Sequence, residues 1–257
     1  MGKGYDTIFC DDSFPFYPAL VKLVSPNSKV VIRIGDFHLM YYYSGLVYQI
    51  LHWFEIISWY MADKILAISQ AMALEIRRDI GGDKVAVILD PVDPKDFPIT
   101  EHLDFGYVMF HGVLTKNKNV DVLLEAARRL PDVTFMIVGD GPDKKRLESL
   151  APHNAHFTGW VPFEKVKDYI QGCAVGVALR SDNPGNDYVV TSPFLQYGVM
   201  GKPCIVTCRQ VYGDYEWQFY PDDNFSLANM IMLLLKDCPG EGEKLRKYVL
   251  ENHDAGI

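Results

Sequence analysis

The chain has 257 residues, 49% of them hydrophobic and 23% charged, with a formal net charge of −8. That length holds one large or two small domains with cores of their own, and the composition excludes a disordered chain. An acidic chain of this kind is no general nucleic-acid binder, which needs basic surface against phosphates, although one local basic pocket for a diphosphate is compatible with it.

The five cysteines, Cys10, Cys173, Cys204, Cys208 and Cys238, form no CxxC pair, and an odd count of thiols suits a reducing, cytoplasmic setting. Cys204 and Cys208 lie four apart with no second ligand pair at zinc spacing, so no metal is expected. No signal peptide is visible, because residues 1–5 are polar and no apolar stretch follows them.

In chain order, short apolar runs predict strands at 7–10, 29–34, 65–68, 86–89, 106–110, 134–138, 156–158, 176–179 and 203–207. Their Val, Ile and Phe content fits parallel strands covered on both faces. After the second strand comes Gly35-Asp36-Phe37-His38. Asp36 and His38, two apart in a glycine-bearing turn, either orient an acceptor hydroxyl or serve only the turn. The stretch Leu46 to Met61 predicts a helix whose polar positions Gln49, His52, Glu55 and Ser58 recur every third residue. Everything else on it is apolar, so its face must be covered by its own domain, a partner subunit or a membrane surface. The stretch is too short and too polar to span a bilayer.

Pro91, Pro94 and Pro98 then deny both helix and central strand, which predicts a linker and two domains, 1–97 and 98–257. Past the linker, residues 110–119 run from a strand to a helix striped by Val120, Leu123, Leu124, Ala127 and Leu130. Gly112 at that turn allows backbone N–H groups to approach an anion, with Lys116 and Lys118 as counter-charge. The plain alternative is a loop with a solvated lysine pair. The turn Gly139-Asp140-Gly141-Pro142 matches no full glycine-rich fingerprint, and a tight turn explains it. Further helices are expected at 144–150, 164–171, 194–200 and 227–235. Before the third of these, a polar loop over 181–190 leads to Thr191-Ser192-Pro193, with Ser192 as a good N-cap and Gly201 as a stop. A helix start at the carboxyl end of a strand either receives a diphosphate or is simply capped. The alternation of strands and helices predicts a doubly wound α/β architecture.

In their order these segments resemble the GT-B glycosyltransferases of family 4, the glycosyl transferases group 1. Asp63 to Ser69 resembles the family's strand "adkiiaiS", and Val87 to Phe97 its linker "vipNGvD…F". Gly112 to Ala126 resembles the phosphate loop and helix "GrL…KG…Ll.A", and Phe135 to Pro142 resembles "lvivG.GP". Phe157 to Pro162 resembles "f.G.v" beside the donor base, and Leu195 to Val206 resembles "lEama.GkPvi". The resemblance covers nearly the whole chain. It implies two Rossmann-like domains facing a cleft. It also implies retaining, metal-independent transfer of a sugar from a nucleotide-diphosphate sugar to a glycan, lipid or small-molecule acceptor, with no cofactor.

By the same resemblance His38, Asp36 and Lys118 are the catalytic positions. Donor contacts are implied for Gly112, Lys116, Lys118, Gly141, Val161, Asp187, Tyr188, Thr191, Ser192 and Gln196. Two residues depart from the pattern. Val113 stands where the family has an arginine, and Gln196 stands where it has a glutamate, with Tyr188 and Asp187 near the place of a second glutamate. The acceptor-side domain also reads as shortened. An active transferase is therefore expected, with a non-catalytic or split relative as the alternative, in the cytoplasm or peripheral at a membrane.

Overall fold

The computed structural model describes residues 5–11, 16–99, 106–207, 211–212, 215–219, 224–236 and 238–256. The chain divides into two compact units. The first comprises the described residues up to Asp90 together with Asn183–Val190; the second comprises Pro91–Asp182 and the described residues from Thr191 on.

The first unit is a four-stranded parallel sheet in the order β1-β2-β3-β4, with β1 Thr7–Asp11, β2 Lys29–Ile34, β3 Lys64–Ala67 and β4 Val85–Val87. Between them run α1 Tyr17–Val24, α2 His38–Tyr42, α3 Gly45–Met61 and α4 Gln70–Ile80. Each crossover steps one strand in the same direction, so right-handed connections carry the helices to one face of the sheet. α1 packs against α3, and α3 against α4. Strand alternation then buries Val30, Ile32 and Ile34 of β2 with Ile65 and Ala67 of β3 under Met72, Ala73 and Ile76 of α4. The opposite face is only partly covered. Lys29 and Lys64 are exposed there, and Val31, Arg33 and Leu66 half-buried, so coverage on both faces fails for this sheet.

The second unit is a five-stranded parallel sheet in the order β7-β6-β5-β8-β9. Its strands are β5 Tyr107–His111, β6 Phe135–Val138, β7 Ala155–Gly159, β8 Cys173–Ala178 and β9 Cys204–Val206. Its helices are α5 Val120–Arg129, α6 Lys144–Leu150, α7 Phe163–Gly172, α8 Ser192–Val199, α9 Asn224–Leu234 and α10 Cys238–His253. Here both faces are covered, and every residue of β5 and β8 is buried. α8 and α10 come together over glycines: a Cβ on Gly198 would meet Val249, and one on Gly242 would meet the Gly201 carbonyl. Strands β5, β6 and β7 build outward to one side, and β8 and β9 to the other. The order therefore reverses between β5 and β8, which opens a crevice at their carboxyl ends.

Candidate functional site

The loops at that reversal are built by close backbone contacts. Gly112, after β5, donates its N–H to Val138 at 3.0 Å, and Leu114 N–H donates to Asp140 at 2.9 Å. A Cβ on Gly139 would run into the Gly112 carbonyl, and one on Gly141 would run into the Leu114 backbone. The two glycines of the second turn therefore let the β5 and β6 loops touch, and Gly141 is accounted for by packing. Leu114, fully buried, anchors the loop in the core. Gly112 itself has φ +144°, a conformation that side-chain-bearing residues rarely adopt.

Beyond Leu114 the chain forms a short turn, Lys116–Lys118, and Asn119, in the left-handed region at φ 47°, feeds α5. The two lysines diverge. Lys116 is exposed, and its charge helps hold the Asp143 carboxyl below its usual value, after the leading effect of Arg146. Lys118 is half-buried, and its charge reaches His111 at the end of β5. Burial first, and then Lys118, push the His111 imidazole down to about 3, so it is neutral; its ring lies edge-on to Tyr197 of α8 at 5.0 Å.

The loop after β8 is tied to this turn. Ser181 N–H donates to the Asn117 carbonyl at 2.8 Å, and its hydroxyl to the Asn117 side-chain oxygen at 2.6 Å. The residue before it, Arg180, is half-buried and anchored through its N–H to Thr207 Oγ1 at 2.7 Å. Sequence reasoning missed Arg180, since nothing local distinguishes it from a surface arginine. Its signal was being the only cation between β8 and α8.

The start of α8 differs by one residue from the expected one. Ser192 is the first helical residue and Thr191 the cap position. Thr191 is buried, and its side chain lies 3.1 Å from the Tyr212 hydroxyl rather than capping the helix. Ser192 is exposed, and Gln196, one turn on, is half-buried. Val113, where a cation was expected by resemblance, is 58% exposed. Val161, half-buried, follows β7, two strands from the reversal, beside the exposed Trp160.

In the first unit, Phe37 is buried and fixes the turn between β2 and α2, leaving Asp36 half-buried and His38 exposed at the carboxyl end of β2. Asp187 and Tyr188 gather with this unit, although the sequence places them in the second domain. The Tyr188 ring packs edge-on to Phe37 at 4.8 Å, which brings Tyr188 to the turn that carries Asp36 and His38. Of the predicted positions, the second unit thus gathers Gly112, Lys118 and Gly141 on two touching loops, with Thr191, Ser192 and Gln196 on α8. The first unit gathers Asp36, His38, Asp187 and Tyr188. Among the described residues no group of three or more His, Cys, Asp or Glu side chains is placed to hold a metal ion; Cys208 lies outside them.

Solved structures share this architecture. One is Anabaena Alr3699/HepE in complex with UDP and glucose, with TM-score 0.79, 17% identity, and coverage of 97% of this chain and 74% of that one. Another is sucrose-phosphate synthase from Thermosynechococcus elongatus, with TM-score 0.77, 15% identity, and coverage of 98% and 70%. A third is TarM, with TM-score 0.77, 14% identity, and coverage of 96% and 52%. The fold is that of the GT-B glycosyltransferases. The family model of the glycosyl transferases group 1 matches residues 106–237, and the chain belongs to that family. No curated protein is found to match it in sequence.

Proposed function

We propose that the protein transfers a sugar from a nucleotide-diphosphate sugar to an acceptor hydroxyl, with retention of configuration and without a metal. The observation that carries this is the reversal between β5 and β8, where the Ser181–Asn117 bonds hold Lys118 and Arg180 on adjoining loops. As the bond from sugar to diphosphate breaks, its electron pair passes to the diphosphate oxygen. Two cations, Lys118 and Arg180, stabilise that charge, which is the term that lowers such barriers most. In this reading Arg180 supplies the cation that Val113 does not. Lys116 lends a more distant charge, and Ser192 and Thr191 present the start of α8 to the phosphates. Gln196 bonds the ribose through its amide, Val161 lies beside the base, and Asp187 and Tyr188 border the sugar. In the first unit, His38 and Asp36 receive the acceptor, a glycan, lipid or small molecule, whose hydroxyl passes its proton to the departing diphosphate oxygen as the new bond to the sugar forms.

A second reading, donor binding without turnover, is favoured by Gln196, since an amide holds a ribose hydroxyl less strongly than a carboxylate. Single-turnover assays with a panel of nucleotide sugars test the proposal. Release of nucleoside diphosphate that depends on Lys118 supports it. Binding with no release under any acceptor supports the second reading.

A further inference from the structure

Helix α3 turns only its C-terminal part to the core, through Trp59 and Ile56. Three of its four polar-stripe residues face inward as well, with Gln49 exposed: Ser58 is buried, and His52 lies 2.9 Å from Glu55 and 3.3 Å from Asp79 of α4. Its apolar positions Leu46, Val47, Ile50, Trp53 and Phe54 face solvent, between 41% and 70% exposed. Beside it, α1 exposes Leu20, Leu23 and Val24, and Phe16 at its start packs edge-on against Phe54 at 5.4 Å, joining the two surfaces. Interior-type residues outside and ion-pairing residues inside are the arrangement of a helix whose outer face is also covered.

We propose that this face is a two-fold interface with a second copy of the chain, α3 of each protomer packing against α3 of the other. Eight apolar side chains at about half exposure, taking roughly 200 Å² for each large side chain, amount to about 800 Å². That is one partner's share of a standard interface, and more than the few hundred Å² a monomer usually leaves open. Charge selects the occupant. None of these side chains is charged, and Lys22, the only cation on α1, is bound to Asp63 at 2.8 Å. A two-fold axis therefore brings no like charges together, and the face meets its own image. Helices that lie on bilayers carry lysine or arginine along their rim, whereas α3 has neither, on a chain of net charge −8.

Sedimentation velocity on the full chain at about ten micromolar, within the range that interfaces of this size reach, should give a dimer. Ile50→Glu and Trp53→Glu should each give a monomer with unchanged far-UV circular dichroism, and the milder Leu46→Gln should weaken the dimer at least tenfold. A monomeric wild-type chain overturns the proposal, as does a dimer that survives both charge substitutions. Flotation of wild-type monomer with phosphatidylcholine–phosphatidylglycerol vesicles, lost in Ile50→Glu, would assign the face to a bilayer and likewise overturn it. None of these results bears on nucleotide binding, which belongs to the other unit.

Discussion

The hydroxyl of Ser69 donates to the Tyr188 carbonyl at 2.7 Å and accepts from the Met72 N–H at 3.1 Å. One side chain thus starts α4 and pins a segment 119 residues further along the chain. Ser69→Ala should cost about 1 kcal/mol as a lost cap. It should also raise hydrogen exchange at the amides of 185–189, which Ser69→Thr should largely restore.

Gly139 and Gly112 separate two effects of glycine. Gly139→Ala places a methyl against the Gly112 carbonyl, with backbone on both sides and φ +143°, and should cost about 3 kcal/mol or more. Gly112→Ala meets nothing nearer than Phe110 at 3.8 Å, so only its φ of +144° opposes it, at about 1–2 kcal/mol. Thermal unfolding should rank the two in that order, at about 2–4 °C per kcal/mol for a chain of this size.

Two histidines should give opposite pH dependences. The His52 imidazole is held above its ordinary value, first by its bond to Glu55 and then, against the effect of burial, by the charges of Glu55 and Asp79. Its stabilising contribution is complete below the unfolded pKa of about 6.5 and is lost as pH rises through the folded value. His111 is pushed down to about 3, so its contribution is complete above about 6.5 and is lost as pH falls from there toward 3. Melting temperatures from pH 4 to 9 should show His52→Gln flattening the alkaline side and His111→Asn flattening the acid side. Parallel curves for wild type and both variants would contradict these assignments.

If Arg180 supplies the cation that Val113 lacks, Arg180→Ala should weaken donor binding roughly tenfold to a hundredfold, the scale of a lost charge-assisted bond. Val113→Arg on that background should recover part of it. Retained affinity in Arg180→Ala would leave Lys118 as the working cation by itself.

The nine strands found among the described residues were legible because each is a short apolar run; β2 lies at 29–34 as expected, and the ends of the others move by at most three residues. The turns after β2, β5, β6 and β8 were legible from their glycines and polar residues. What escaped depends on contacts between distant residues. Pro184, Gly185 and Asn186 read as plain loop, and it takes contacts such as those of Ser69 and Phe37 with Tyr188, and of Val189 with the core, to show that Asn183–Val190 gathers with the first unit. α10 carries Gly240 and Gly242, which lower helix propensity, and Gly242 is required where the helix meets the Gly201 carbonyl. Gly141, a donor contact by resemblance, is also where the second loop packs on the Leu114 backbone, a contact the sequence does not show. The stripe on α3 was visible, but not that His52, Glu55 and Ser58 would turn inward while Leu46, Val47, Ile50 and Trp53 stay exposed.

The most direct test of the central claim is calorimetric titration of the wild-type chain and Lys118→Ala with a panel of nucleoside diphosphates. The account predicts that one nucleoside diphosphate binds the wild type. Its affinity should fall at least tenfold in Lys118→Ala, with both proteins melting at the same temperature in the absence of ligand. Equal affinity in the two proteins would contradict it, because the diphosphate would then sit away from the crevice between β5 and β8.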